Sequence, residues 1–241
     1  MQIQHVVHLP YLHTHRNIRI FLPPAYFTTK DHFQVLYMQD GQNVLDGVDS
    51  FGKPWAVGNF ISKRAKSKQA IVVAIDHGHG SRVSEYAPFK SYRNLGGKGD
   101  AYLYSIKDHI KPLIDAEFRT MTDKQNTWLI GSSLGGLISF YGGLKMPDVF
   151  GKVVSFSPSF WYNPQVIKEF HPTSTLWDSS FYVAGSMKES YGMTETLRHT
   201  YWRLKSLGIP EERLRVVVRD KGKHNEVFWS KEFKLMYNHL I

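Results

Sequence analysis

Thr127-Trp128-Leu129-Ile130-Gly131-Ser132-Ser133-Leu134-Gly135-Gly136-Leu137-Ile138-Ser139-Phe140-Tyr141 is the stretch whose reading decides the fold. A short apolar run of β character, Thr127–Ile130, meets a glycine-flanked serine and then a run of helical character from Leu137. Strand, sharp turn and helix in that order form the context of a Gly-x-Ser-x-Gly nucleophile elbow. The turn strains its central serine and exposes Oγ, so its neighbours must be small, and Gly131 and Gly135 occupy those positions. The backbone N–H of Leu134, at the helix start, is then able to face a developing oxyanion.

Outward from the elbow, short β-rich runs recur at Ile3–Leu9, Asn17–Leu22, Gln34–Gln39, Ala70–Ile75, Lys152–Phe156, Ser180–Ala184 and Leu214–Arg219. Several are apolar without alternation, as in Ala-Ile-Val-Val-Ala-Ile at 70–75. That pattern belongs to parallel strands covered on both faces. Helical patterns separate the runs from the third onward. Pro54 opens one that ends basic at Lys66, and Asp100 is placed to cap Ala101–Phe118, where Pro112 predicts a kink. Leu137–Lys145 stops before Pro147, Thr194–Leu207 ends at Gly208, and Asn225–Leu240 closes the chain with an aromatic-rich helix. The alternation predicts a mostly parallel sheet of eight strands with helices on both faces, and the short connections of the first two or three runs predict an antiparallel start. No repeat or Pro/Ser-rich linker divides the 241 residues, so one domain is expected.

Composition narrows the function classes. There is no cysteine, which excludes disulfides, thiolate catalysis and Cys-ligated zinc. No run approaches the ~18 apolar residues of a membrane-spanning helix. Residues 1–10 carry His5 and His8 among the apolar positions and have no signal-peptide core, so a cytoplasmic protein is expected. The formal net charge is +9, yet its 30 lysines and arginines are spread along the chain. The cluster Lys63, Arg64, Lys66 and Lys68 closes a predicted helix, where cations suit the macrodipole. No nucleic-acid-binding signature accompanies it. The charge fits attraction of an anionic small molecule.

A serine nucleophile, here Ser133, needs a base, an orienting acid and two oxyanion donors. In such a sheet, ligands gather beyond the carboxyl ends of the strands. His224 follows the last strand, on the glycine-containing loop Asp220-Lys221-Gly222-Lys223, just before a helix. The chain order serine, acid, histidine is the expected one. Glu189 is the carboxylate after the preceding strand, whereas Asp178 lies before that strand, at the wrong end of the sheet. The loop Gln39-Asp40-Gly41-Gln42-Asn43 after the third run suits the second oxyanion donor, with Gly41 allowing a tight turn and the Gln42 amide pointing inward. A plain strand-ending Asp-Gly turn is the alternative.

Three side chains are candidates for substrate contact. Arg82, in a loop expected to overhang the site, is suited either to hold a carboxylate or catecholate oxygen or to pair with Glu85. Phe160 and Trp161, just past the sixth run, line a pocket or belong to the core. His77 and His79 lack a third ligand in a metal pattern, and the serine chemistry needs neither metal nor cofactor.

The chain as a whole resembles the esterase family of α/β-hydrolases that includes enterochelin and other ferric-siderophore esterases, with esterase D and the mycolyl transferases more distant. The resemblance runs over nearly the full length. It is carried by Val35–Asn43; by Arg82 with Glu85-Tyr86-Ala87-Pro88; by Gly96–Leu103; by Gly131–Gly136; by Ser155–Trp161; and by Gly222–Glu226. It implies the α/β-hydrolase fold, Ser133 as nucleophile, His224 as base, Gln42 and Leu134 as oxyanion donors and a carboxylate near Glu189. Some siderophore esterases work with a Ser–His pair, which would leave Glu189 without that role. The cysteine near the site of esterase D-like relatives is absent, against an S-formylglutathione hydrolase. The expected function is a serine carboxylic-ester hydrolase acting on a small ester, with a siderophore trilactone or another anionic ester favoured by charge and Arg82. Carbohydrate acetyl or feruloyl esters, acyl transfer and ligand binding without catalysis are the alternatives.

Overall fold

A computed structural model describes residues 1–45, 52–91, 94–168, 170 and 176–240. Eight strands, β1 (Gln2–Leu9), β2 (Thr14–Phe21), β3 (Val35–Gln39), β4 (Ile71–Ile75), β5 (Thr127–Ser132), β6 (Lys152–Phe156), β7 (Ser180–Ser186) and β8 (Leu214–Arg219), form a single sheet. Their order across it is β1-β2-β4-β3-β5-β6-β7-β8. β2 pairs antiparallel with β1 and with β4, and every later pairing is parallel. All eight runs expected from the sequence are strands, two with their expected ends and the others with ends shifted by at most three residues.

The unbroken apolar runs reflect burial on both faces. Val35, Tyr37, Ile71, Val73, Ile75, Leu129, Val153, Phe181 and Val183 join one core cluster. Their strand neighbours Leu36, Met38, Val72, Ala74, Trp128, Ile130, Val154 and Tyr182 join the other. Alternate residues of a strand point to opposite faces, so each central strand must be apolar throughout. Helices Leu134–Lys145 and Met193–Ser206 cover the first face through Ile138, Phe140, Leu197 and Leu204. Helices Val57–Ser62 and Glu226–Leu240 cover the second through Val57, Ile61, Phe233 and Met236.

Several helix ends differ from expectation. The helix after Pro54 begins only at Val57, and its first flanking residue, Ala56, has φ +56°. Part of the basic cluster beyond it serves the fold: Arg64 donates to Asn238 Oδ1 at 3.1 Å and lies 4.5 Å over the Phe60 ring. Asp100 lies within the helix Gly99–Ser105 rather than capping it, and accepts a hydrogen bond from Tyr141 Oη at 2.7 Å. The irregularity expected at Pro112 appears ahead of it, as a π-helical turn over Ile106–Ile110. A proline supplies no N–H, and a wider turn accommodates that gap without ending the helix.

The parallel order brings the carboxyl ends of β3, β5, β6, β7 and β8 to one edge of the sheet. Their following loops carry Asp40–Asn43, Ser133, Ser157–Ser159, Glu189 and His224. Among the described residues, no helix is long and apolar enough to cross a membrane.

Candidate active site

Ser133 stands between the end of β5 and the helix Leu134–Lys145 with φ +55° and ψ −122°. This is a strained conformation for a residue with a side chain. The surroundings over-determine it. The Ser133 N–H donates to the Phe156 carbonyl at 2.9 Å, and its own carbonyl accepts from the Leu137 and Ser159 amides at 2.9 and 3.1 Å. A Cβ on Gly131 would lie 2.2 Å from the Gly135 carbonyl oxygen, and one on Gly135 would lie 3.0 Å from Gln39 Cβ. Gly131 is therefore demanded by close backbone approach, and Gly135 by the side chains of Gln39 and Asp40. That contact also explains why the helix starts three residues earlier than its apolar pattern suggests: Gly135 and Gly136 are poor helix formers, but only glycine fits there.

The side chains expected to act together are in contact. His224 Nε2 lies 2.8 Å from Ser133 Oγ, and His224 Nδ1 lies 3.0 Å from Glu189 Oε2. His224 is partly open to solvent, with 39% of its side chain exposed, whereas Glu189 is 1% exposed. Glu189 is not a surface residue paired with Lys188. Its Oε1 accepts the Ser186 N–H at 2.7 Å and a hydrogen bond from Ser157 Oγ at 2.8 Å. Asp178 sits before β7, at the far end of the sheet, where its carbonyl accepts from Gln125 and Arg213.

The turn expected to carry the second oxyanion donor has a different local cause from the one expected. Asp40, not Gly41, takes the left-handed conformation, at φ +55°. Gly41 is needed for room: a Cβ there would lie 2.5 Å from the Ala74 carbonyl carbon on β4. Gln42 follows in the short helix Gly41–Val44, and its side-chain carbonyl accepts the His77 N–H at 3.3 Å. Leu134 is the first residue of its helix and Gln42 the second of its own, positions whose N–H groups have no acceptor within the helix. The Asp40 turn borders the elbow closely enough that a Cβ on Gly135 would stand 2.9 Å from Asp40 Oδ2.

Arg82 is not paired with Glu85, which is held by Arg16 Nη2 at 2.7 and 2.8 Å. Instead its Nε and Nη2 grip the Asp40 carboxylate at 2.7 and 2.9 Å, with the guanidinium over the Tyr86 ring at 5.2 Å. Burial opposes the charge, but the Asp40 hydrogen bonds outweigh it and the Arg82 pKa is raised. Tyr86 Oη also accepts the Asp40 N–H at 3.2 Å. Two of the three guanidinium nitrogens thus brace the turn, which leaves the role of anion receptor without its expected donor fork.

Phe160 is a core residue, 2% exposed and edge-on to Phe140 with centroids 4.9 Å apart. Trp161 is the opposite, 79% exposed. It borders a cleft of about 500 Å3 beside His224, together with Pro158, Tyr191, Met193 and Thr196. Phe160 is absent from that lining and reaches only a neighbouring depression. His77 Nδ1 accepts the His79 N–H at 2.9 Å.

Other groups at the site were not singled out by sequence. Ser159 Oγ lies 3.2 Å from Ser133 Oγ, and Trp229 Nε1 donates to Ser157 Oγ at 2.9 Å. Glu226, two residues after His224, meets Asn43 Nδ2 at 3.4 Å, and burial raises its pKa, with the charge of Asp40 adding to the effect. The sequence signals for the two serines were their place just beyond the sixth β run and within the motif Ser155–Trp161 that carries the resemblance.

Comparison with known proteins places the chain among relatives. Residues 10–233 match the protein family described as "Putative esterase". The chain is 28% identical over 235 residues to the uncharacterised protein YbbA of Bacillus subtilis (strain 168), an alignment covering 90% of this chain and 89% of YbbA. It is 38% identical over 90 residues to the iron(III) salmochelin esterase of Escherichia coli O6:H1, covering 35% of this chain and 22% of that enzyme. The enterobactin esterase of Shigella flexneri, solved in the presence of 2,3-di-hydroxy-N-benzoyl-serine, superposes with a TM-score of 0.77 at 17% identity. That superposition covers 100% of this chain and 59% of the other, so the chain spans little more than half of that enzyme.

Proposed function

The chain belongs to this esterase family and is a hydrolase of its α/β type, and on that premise we propose that it cleaves carboxylic esters through Ser133, His224 and Glu189. The observation that carries the reading is the unbroken series Ser133 Oγ, His224 Nε2, His224 Nδ1, Glu189 Oε2, with separations of 2.8 and 3.0 Å across the ring.

His224 takes the Ser133 proton as Oγ bonds to the ester carbon. The imidazolium so formed faces the Glu189 carboxylate, which also holds the ring in the tautomer that leaves Nε2 free to accept. The tetrahedral oxyanion accepts from the Leu134 and Gln42 amides, each worth about 3 kcal/mol in the transition state. The C–O bond to the alcohol breaks, and the alcohol leaves with the proton from His224. Water attacks the acyl-enzyme, gives its proton to His224, and Ser133 is restored as the acid departs.

For the substrate, the support is for an ester carrying an aromatic group. The cleft beside His224 offers Trp161, Tyr191, Pro158 and Met193. Exposed rings of this kind suit stacking against a planar arm. A catecholate trilactone has such arms, and so does a hydroxycinnamoyl ester. The preference for an anionic ester keeps only the net charge as support, since Arg82 is committed to Asp40.

The test is a series of methyl esters of acetate, a hydroxybenzoate, a hydroxycinnamate and a succinate monoanion, with an iron-free catecholate trilactone alongside. The aromatic esters should exceed acetate in kcat/KM by about tenfold or more. Arg82→Ala should lower kcat on neutral and anionic esters by one common factor, because it acts through the oxyanion turn. A preference for acetate would overturn the aromatic assignment, and a loss confined to succinate would restore Arg82 as an anion receptor.

A further inference from the structure

Glu189 is held by more than the loop that carries it. Its Oε1 receives two hydrogen bonds, from the Ser186 N–H and from Ser157 Oγ, and its Oε2 faces His224 alone. The direction of the serine contact is fixed by its other neighbour. An indole nitrogen can only donate, so Trp229 Nε1 at 2.9 Å from Ser157 Oγ occupies an acceptor position on that hydroxyl. The single hydroxyl proton of Ser157 is thereby left for Glu189 Oε1. Ser157 itself is placed at φ +46°, a left-handed backbone that a β-carbon disfavours, and its N–H is tied to the Ala184 carbonyl at 2.6 Å.

The same indole also touches the base. The Trp229 and His224 rings are nearly perpendicular, at 86°, with centroids 4.9 Å apart. Trp229 is 6% exposed, whereas His224 rides on an open loop. The local sequence explains how one side chain reaches both. Asn225 Oδ1 accepts the Phe228 N–H at 3.2 Å and so caps the helix Glu226–Leu240 directly after His224. One turn of that helix then returns residue 229 beneath the loop, with the Trp229 N–H accepted by the Asn225 carbonyl at 3.2 Å.

We infer that Trp229 and Ser157 are positioning residues for the Glu189–His224 pair: the indole N–H orients the Ser157 hydroxyl, the hydroxyl fixes Glu189 Oε1, and the indole ring walls His224. Neither touches the reacting atoms, and the inference rests on the Ser133–His224–Glu189 reading above. Its consequence is a defect in kcat alone, seen only while position 189 carries a carboxylate.

The experiment measures kcat and KM on an aromatic ester for Trp229→Phe and Ser157→Gly, singly and together, in the wild type and in Glu189→Gln. Phenylalanine keeps a ring against His224 while removing the N–H, and glycine relieves the φ at 157 while removing the hydroxyl. Each single change should lower kcat about ten- to hundredfold with KM unchanged. The double variant should be no worse than Ser157→Gly by more than about twofold, since both act on one contact. In Glu189→Gln neither should reduce kcat further by more than about twofold. Wild-type kcat in Trp229→Phe, or equal losses with and without the carboxylate, would overturn the inference while leaving the triad in place. Full activity in Glu189→Gln itself would instead remove the triad and the inference together.

Discussion

Ser133→Ala is expected to lower kcat for ester hydrolysis by about four to six orders of magnitude. The change deletes Oγ, the atom shared between His224 Nε2 at 2.8 Å and Ser159 Oγ at 3.2 Å. It leaves the elbow itself untouched, because the strained φ of +55° is held by backbone bonds to Phe156, Leu137 and Ser159. A melting temperature within about 2 °C of wild type should accompany the loss, as befits a change of a few tenths of a kcal/mol. The residual rate reflects what the oxyanion donors do alone with water as nucleophile. Turnover near the wild-type level would mean that another group attacks the ester.

Glu189→Gln should cost about 10^4-fold in kcat with little change in KM. The surroundings of the side chain dictate how the amide must sit. Two donors, the Ser186 N–H and the Ser157 hydroxyl, converge on the position of Oε1. The amide oxygen has to take that place, which turns the NH2 group toward His224 Nδ1. His224 then accepts at Nδ1 and carries its proton on Nε2, facing Ser133, in the tautomer that cannot serve as base. Asp178→Asn, at the opposite end of β7, should change kcat by less than about twofold. The pair of variants is compared by steady-state kinetics on one aryl ester. Activity within tenfold of wild type in Glu189→Gln would reduce the site to a Ser–His pair.

What could be read from the sequence follows the range of the forces involved. The central strands were legible because burial on both faces forces continuous apolar runs such as Ile71–Ile75, a local signal. The elbow was legible because its glycines are spaced by the turn itself. Chain order then brought His224 and Glu189 to the correct loops. The early start of the elbow helix at Leu134 was legible only from the elbow context, since helix propensity speaks against Gly135 and Gly136, while the demand for space comes from Gln39 and Ser155 on neighbouring strands. The tight turn after β3 was ascribed to Gly41, whereas Asp40 supplies its left-handed residue, with its side chain gripped by Arg82 and its N–H by Tyr86, 42 and 46 positions away. Arg82 was read as either a substrate-anion receptor or the partner of Glu85, its nearest carboxylate in sequence, but Glu85 is claimed by Arg16 on β2 and the guanidinium of Arg82 is taken by Asp40. Trp229 looked like one aromatic residue among several in an amphipathic helix. Its role depends on Ser157, 72 positions distant, and no local pattern announces that contact.

The central claim, that Ser133 is the nucleophile activated by His224, is tested most directly by reaction with a fluorophosphonate followed by intact-mass measurement and peptide mapping. One adduct per chain is predicted, on Ser133, with ester hydrolysis lost in proportion to labelling. No adduct should form in Ser133→Ala, and formation in His224→Ala should be slowed by about 10^3-fold or more. An adduct on Ser132 or Ser159, or full hydrolysis by protein labelled to completion at Ser133, would contradict the account.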